Sequence, residues 1–193
     1  CRAEYIDALD YPTHKKFVED VLAKTPQLDN VLIVFGYLGT QEKAQVDFNE
    51  AHRIIDTNFT GVVSVCELLA AEFESRKKGN IAVISSVAGD RGRQSNYMYG
   101  SAKGGLSVYL SGLRNRLSKS GVNVLTVKPG FVNTPMTYGM PLPKPLVASP
   151  EKVGKDIYNA MKSGKSVKYT PFFWWWIMKI ITSIPEFIFK KMK

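Results

Sequence analysis

The sequence predicts an α/β protein built on a parallel sheet, and three observations carry that prediction. Short apolar runs closed by glycine or proline, "NVLIVFG", "NIAVISS" and "VNVLTVKPG", read as strands buried on both faces. The stretches between them are long enough for helices and carry helically spaced apolar residues. Strands joined through helices need right-handed crossovers, and such strands run parallel. A chain of 193 residues is large enough to bury one core without disulfide or metal staples.

The elements follow in order. Residues 3–9 read as a strand, and Pro12 with Thr13 opens a helix that runs to about residue 24. "NVLIVFG" is the next strand. Residues 47–77 read as one long helix with a weak point at Gly61. After "NIAVISS" a helix over 97–118 ends at Gly121, and the strand "VNVLTVKPG" stops at Pro129. A proline-rich loop over 135–150 leads to a helix from Pro150 to about Ser163 and a last strand, "SVKYT". The chain opens at Cys1 in what reads as the middle of a domain, with no signal-peptide pattern, so a preceding stretch is expected.

Composition narrows the function classes. At 45% hydrophobic and 22% charged residues, the chain has the balance of a soluble globular domain. Cys1 and Cys66 make no disulfide framework, which suits a reducing, cytoplasmic setting. His14 and His52 have no cysteine or carboxylate cluster around them, so no metal site is expected. The net charge is +9, and residues 150–193 hold nine lysines against Glu151, Asp156 and Glu186, a local excess of six. That asymmetry points to an anionic surface rather than to nucleic acid, and no nucleic-acid partner is expected.

A parallel sheet binds ligands beyond the carboxyl ends of its strands, so the loops after Val34, Ile84 and Lys128 are the ones to search. Three tyrosines have a lysine four residues on, one helical turn away: Tyr11/Lys15, Tyr99/Lys103 and Tyr158/Lys162. The spacing alone decides nothing. Tyr11 precedes Pro12 at the start of its helix, and Tyr158 lies mid-helix in a lysine-rich segment. Only Tyr99 follows a loop leaving a buried strand at its carboxyl end. That loop opens with Ser85 and Ser86, the latter 13 residues before Tyr99.

These blocks, "IAVISSVAG", "YGSAKGGL" and "VNVLTVKPGFVNTP", resemble in order and spacing the short-chain dehydrogenases/reductases, over residues 5 to 170 or so. The resemblance implies a Rossmann-type doubly wound parallel sheet and an NAD- or NADP-dependent enzyme that reduces a ketone. It makes Tyr99 the proton donor, Ser86 the hydroxyl that polarises the substrate oxygen, and Lys103 the cation that tunes Tyr99 and bonds the nicotinamide ribose. Asn58, in "DTNFTG", completes the set through a proton path. The chemistry suits these residue types. Hydride addition leaves an alkoxide that needs a proton, a free tyrosine titrates too high to exchange it well at neutral pH, and a nearby ammonium lowers that pKa.

By the same resemblance Asp10 bonds the adenine, and Pro129, Gly130, Val132 and Thr134 hold the nicotinamide carboxamide. Where the family has Asn-Asn-Ala-Gly, this chain has Ile33, Val34, Phe35 and Gly36. Gly36 still lets the backbone approach the adenosine, while the asparagine's bracing of the sheet is lost or moved. No Gly-rich phosphate loop occurs in the sequence. In the family it lies in the first β-α-β unit, which this chain is expected to lack, so the choice between NAD and NADP is not legible here.

Residues 1–170 thus read as a partial Rossmann domain and 171–193 as a tail, "PFFWWWIMKIITSIPEFIFKKMK". Its apolar run is broken by Lys179, Pro185 and Glu186, too short and polar to cross a bilayer. At about 100° per residue, Lys179, Ser183, Glu186 and Lys190 share one narrow stripe and the rest is aromatic or aliphatic. Residues 172–190 are expected to lie peripherally on the inner face of a membrane, and packing on the domain or on a second subunit is the alternative. Together with "SSVAGDRGRQSNYMYGSAK" and "VFGYLGTQ", the tail resembles the branch of the family containing decaprenylphosphoryl-2-ketoribose reductase, which implies a keto-sugar on a polyprenyl phosphate as substrate. A non-catalytic, membrane-docked scaffold on the same fold is the competing reading. The resemblance also implies a homo-oligomer, with Val62, Val65, Leu69, Leu106, Tyr109 and Leu113 as candidate contacts that would equally suit burial against the sheet.

Overall fold

The structure is a computed structural model that describes residues 2–192. A four-stranded parallel sheet has the order β1 (Asn30–Ile33), β2 (Gly79–Ile84), β3 (Val122–Pro129) and β6 (Val167–Thr170). In between, a two-stranded parallel ribbon pairs β4 (Phe131–Val132) with β5 (Val147–Ala148). The α/β parallel architecture is the one the strand runs predict.

The helices explain where the core sits. One face of the sheet is covered by α1 (Tyr11–Lys24), α4 (Gly61–Arg76) and α5 (Tyr97–Leu117), which bring Val18, Val62, Cys66, Leu69, Phe73, Leu106 and Leu110 onto Ile81, Val83 and Val124. The other is covered by α6 (Pro150–Lys162), whose Val153, Ile157 and Ala160 pack on Ala82, Leu125 and Val127. Ser149 caps α6, its hydroxyl accepting from the Lys152 N–H, with Pro150 preset for the first turn. Two further helices close the chain, α7 (Phe173–Ser183) and α8 (Glu186–Phe189).

Several expectations need correction. Residues 3–9 are not a strand: the chain there is irregular, and it packs its backbone on the start of α4, where a Cβ on Gly61 would lie 2.1 Å from the Ala8 carbonyl oxygen. Its Ile6 packs against the core, but the segment pairs with no strand among the described residues. The β1 run is not buried on both faces, because among the described residues β1 is an edge strand paired with β2 alone, and Leu32 and Val34 are exposed.

The 47–77 helix is real but broken into parts. Helix α3 (Phe48–Ile55) passes through a π-helical turn, Asp56–Thr60, into α4. A short helix α2 (Gln41–Val46), not expected from the sequence, precedes it. The run Phe48–Arg76 is long and apolar enough to cross a membrane, yet its Val62, Val65, Cys66, Leu69, Ala70 and Phe73 belong to the core described above. The six residues expected at a subunit contact belong to that core as well: five are buried and Tyr109 packs against it.

His14 is fully buried with both ring nitrogens partnered, by Ser64 Oγ at 2.9 Å and the Asp7 carbonyl at 2.8 Å. Cys66 is a core thiol whose pKa burial pushes up to about 12, while Cys1 lies outside the described residues.

Candidate active site

All four main strands run the same way, so the exits of β1, β2 and β3 meet at one end of the sheet. A cavity of about 440 Å³ opens there. Its wall includes Val34 and Gly36 after β1, Ser85 and Ser86 after β2, Tyr99 and Lys103 from the first turns of α5, and Pro129, Gly130, Val132 and Thr134 after β3. Asn58 and Asp10 are not among its lining residues; Asp10 is exposed at the head of α1.

Each polar group is held by local structure. Ser86 caps a short 3-10 turn, Val87–Gly89, its hydroxyl accepting from the Ala88 N–H at 3.1 Å. Ser85 is buried and donates to the Lys103 carbonyl at 2.9 Å, fixing α5 to the end of β2. The close fit of this loop to α5 requires Gly89, where a Cβ would meet the backbone of Lys103 and Gly104 at 2.6 Å. Lys103 is buried and donates to the carbonyls of Ile84 at 2.9 Å and Phe35 at 3.2 Å, tying together the exits of β2 and β1.

Asn58 sits in the π turn, a wider coil that frees backbone groups from the regular ladder. Its amide donates to the carbonyls of Tyr37 at 2.5 Å and Ile54 at 2.8 Å, and its oxygen accepts from the Tyr37 N–H at 3.3 Å. Lys103 and Asn58 thus tie the segment after β1 to the end of β2 and to the end of α3. Gly36 lies beside this brace: a Cβ there would come 3.2 Å from Met136 Cε and 3.7 Å from Asn58 Oδ1.

Burial dominates the electrostatics. It pushes the Tyr99 phenol up to about 12, against the opposing pull of the Ser86 hydroxyl. It pushes the Lys103 ammonium down to about 7. Lys103 is not among the groups that shift Tyr99: its ammonium stands 5.8 Å from the centre of the Tyr99 ring and donates to two carbonyls. At neutral pH Tyr99 holds its proton, which is the form a proton donor needs.

A matched family model settles the relationship: short chain dehydrogenase, over residues 3–142. The chain belongs to that family. An uncharacterised oxidoreductase of Mycobacterium tuberculosis is 37% identical over 186 residues, covering 96% of this chain and 74% of the relative. A Streptomyces coelicolor oxidoreductase is 32% identical over 187 residues, covering 96% and 73%. Among solved structures, a short chain dehydrogenase from Burkholderia cenocepacia in complex with NADP superposes with a TM-score of 0.80 at 15% identity, covering 96% of this chain and 76% of that one. At that identity the likeness bears on the fold, which it matches.

As a short-chain dehydrogenase the chain is an NAD(P)-dependent oxidoreductase. The cavity has the lining to take part of such a cofactor. It offers a glycine-lined approach at Gly36, apolar walls and the hydroxyls of Ser86 and Tyr99.

Sequence reasoning missed a second polar cluster behind the cavity. Lys128 pairs with Asp90 at 2.5 Å, and Tyr169 donates to the other Asp90 oxygen at 2.8 Å, which locks the Ser86 loop to β3 and β6. It also missed Trp174 of α7, packed so closely on Gly130 that a Cβ there would fall 1.9 Å from the indole. The signal for Lys128 was present, since a lysine closing an apolar strand just before Pro129 is unusual. Trp174 carried none that separates it from Trp175 and Trp176.

Proposed function

We propose that the chain reduces a ketone with Tyr99 as the proton donor, Ser86 as the donor that polarises the substrate oxygen, and Lys103 and Asn58 as the groups that hold the site together. The observation that carries the reading is the convergence of Ser86, Tyr99 and Lys103 on one cavity at the carboxyl ends of three strands. NADH or NADPH, when bound, supplies the hydride. Pro129, Gly130, Val132 and Thr134 would hold its nicotinamide end, Lys103 the nicotinamide ribose, Val34 and Gly36 its adenosine, and Asp10 its adenine.

The protein's own residues do the rest. Ser86 and Tyr99 orient the carbonyl oxygen, the apolar walls exclude water, and Tyr99 Oη releases its proton to the oxygen as charge develops there. Residues 1–170 form the catalytic unit and 171–193 its accessory tail. The ketone we infer is borne on a lipid phosphate, such as a keto-sugar on a polyprenyl phosphate, and is met at a membrane surface. Apolar Leu32, Val34, Val132 and Met136 around the cavity and the exposed aromatic tail support that choice. A purely scaffolding role is disfavoured by the complete Ser86, Tyr99 and Lys103 set.

Tyr99→Phe keeps the ring and removes the proton. In the full-length protein it should lower ketone reduction by about 10²–10⁴-fold while NADPH binding, read by fluorescence, is retained. Turnover equal to the parent would refute the assignment.

A further inference from the structure

The tail turns two different faces to its surroundings. Trp174 and Met178 are buried against Val87, Phe131, Leu146 and Tyr169. On the opposite side, Trp176 is 58% exposed, Ile180 67% and Phe187 65%. At about 100° per residue, Phe173, Trp176 and Ile180 share one arc of α7, with Lys179 and Ser183 along its edge. Large exposed apolar side chains in a row mark a surface that meets something apolar.

The charge around that surface has one sign. Between residues 172 and 192 the sole acid is Glu186, and Arg91 takes it in an ion pair of 2.9 Å, leaving Lys179, Lys190 and Lys191. Beside α8 lies a cavity of about 430 Å³ between the tail and the loop leading to Tyr99. Arg93, Lys190, Gln94 and Ser95 give it polar lining, with the already engaged Glu186, and Ile181, Phe189 and Met192 give it apolar lining. Among the described residues Arg93 has no carboxylate within ion-pair reach, and the one hydrogen bond its side chain makes is to Met178 Sδ at 3.4 Å. Its neighbour Asp90 is spent on Lys128 and Tyr169. A partly buried guanidinium with no carboxylate in ion-pair contact, walled by aliphatic groups, matches a phosphate ester on an apolar chain.

We propose that α7 and α8 form a docking surface for anionic phospholipid, in which Trp176, Ile180 and Phe187 enter the interface and Arg93 with Lys190 takes a lipid phosphate in the adjoining cavity. The proposal deepens the reading of a lipid-borne ketone and rests on it only for its purpose, since docking is read without any ketone. Interfacial tryptophan and aliphatic groups supply the apolar share, and each basic residue near an anionic surface adds about five-fold.

The test is co-sedimentation of the full-length protein with vesicles of phosphatidylcholine alone and of phosphatidylcholine mixed with phosphatidylglycerol. Strong binding to the mixed vesicles and weak binding to the neutral ones is the expected result. Trp176→Ser with Ile180→Ser should lower partitioning by about ten-fold or more, and leave turnover of a soluble ketone unchanged. Arg93→Gln should weaken binding to the anionic vesicles alone, and Lys190→Gln, at an exposed position, repeats that arm if Arg93→Gln fails to fold. Equal binding to both vesicle types, or full binding by all variants, overturns the proposal. So does a serine pair that leaves vesicle binding intact and turns a dimer into a monomer, which would make this face a contact between copies. Failure here leaves the Tyr99 assignment standing, and failure of that assignment leaves this one standing.

Discussion

Tyr99 and Lys103 sit one helical turn apart and burial moves them in opposite directions, which makes the pair readable by titration. Lys103 has a pKa of about 7 in the folded chain against 10.5 for a free lysine. Between those values the unfolded chain holds a proton that the folded chain has released, so stability rises with pH across that window. Tyr99, raised to about 12 from 10.0, acts in reverse and only above pH 10. The urea midpoint of the apoprotein should therefore climb from pH 7 to pH 9 more steeply than that of Lys103→Met. Parallel profiles would show that the ammonium is not desolvated. Their place at a strand exit was legible in the sequence, because the loop after β2 leads into α5 and the two residues stand one helical turn apart. Their ionisation was not, because desolvation depends on what packs around Lys103, and that comes from the carbonyls of Phe35 and Ile84, far away in sequence.

Helix α7 is the element whose role the sequence leaves most open. Three consecutive tryptophans look alike in composition, yet a helix gives each a different direction. Trp174 makes an edge-on contact with Phe131 at 5.2 Å, Trp175 stacks on Phe172 at 6.0 Å, and Trp176 faces solvent. The far end of α7 is clamped by Arg91, which donates to the Ile181 carbonyl at 2.7 Å, and its guanidinium lies 3.7 Å over the Phe189 ring. The tail is thus bonded to the same loop that carries Ser86. Gly130→Ala should expel Trp174, cost about 1–3 kcal/mol of stability and raise KM for cofactor, as the loop after β3 shifts. An unchanged melting temperature and KM would mean that α7 packs elsewhere. The strands β2 and β3 were readable because apolar runs between helices have few alternatives. The irregular 2–10 segment and edge strand β1 were not, since both depend on which neighbours flank them.

For the whole molecule, the long helices α4 and α5 use their apolar faces on the core, so any pairing of subunits must draw on other residues. The outer side of α5 offers Val108, 75% exposed, beside Gly104, Ser111 and Gly112. If the protein dimerises through these helices, Val108→Glu should halve its mass in light scattering at micromolar concentration, and Tyr109→Phe, which removes only a surface hydrogen bond to Glu67, should not. A parent protein that is already monomeric would exclude the dimer. The central claim is hydride addition to a ketone with proton delivery from Tyr99, and the most direct measurement follows the hydrogen itself. With NADPH carrying deuterium at the transferable position, the full-length protein should place that deuterium on the carbinol carbon of the product, and Tyr99→Phe should slow the transfer by orders of magnitude with cofactor still bound. Product without the label, or label delivered equally fast by Tyr99→Phe, would contradict the account.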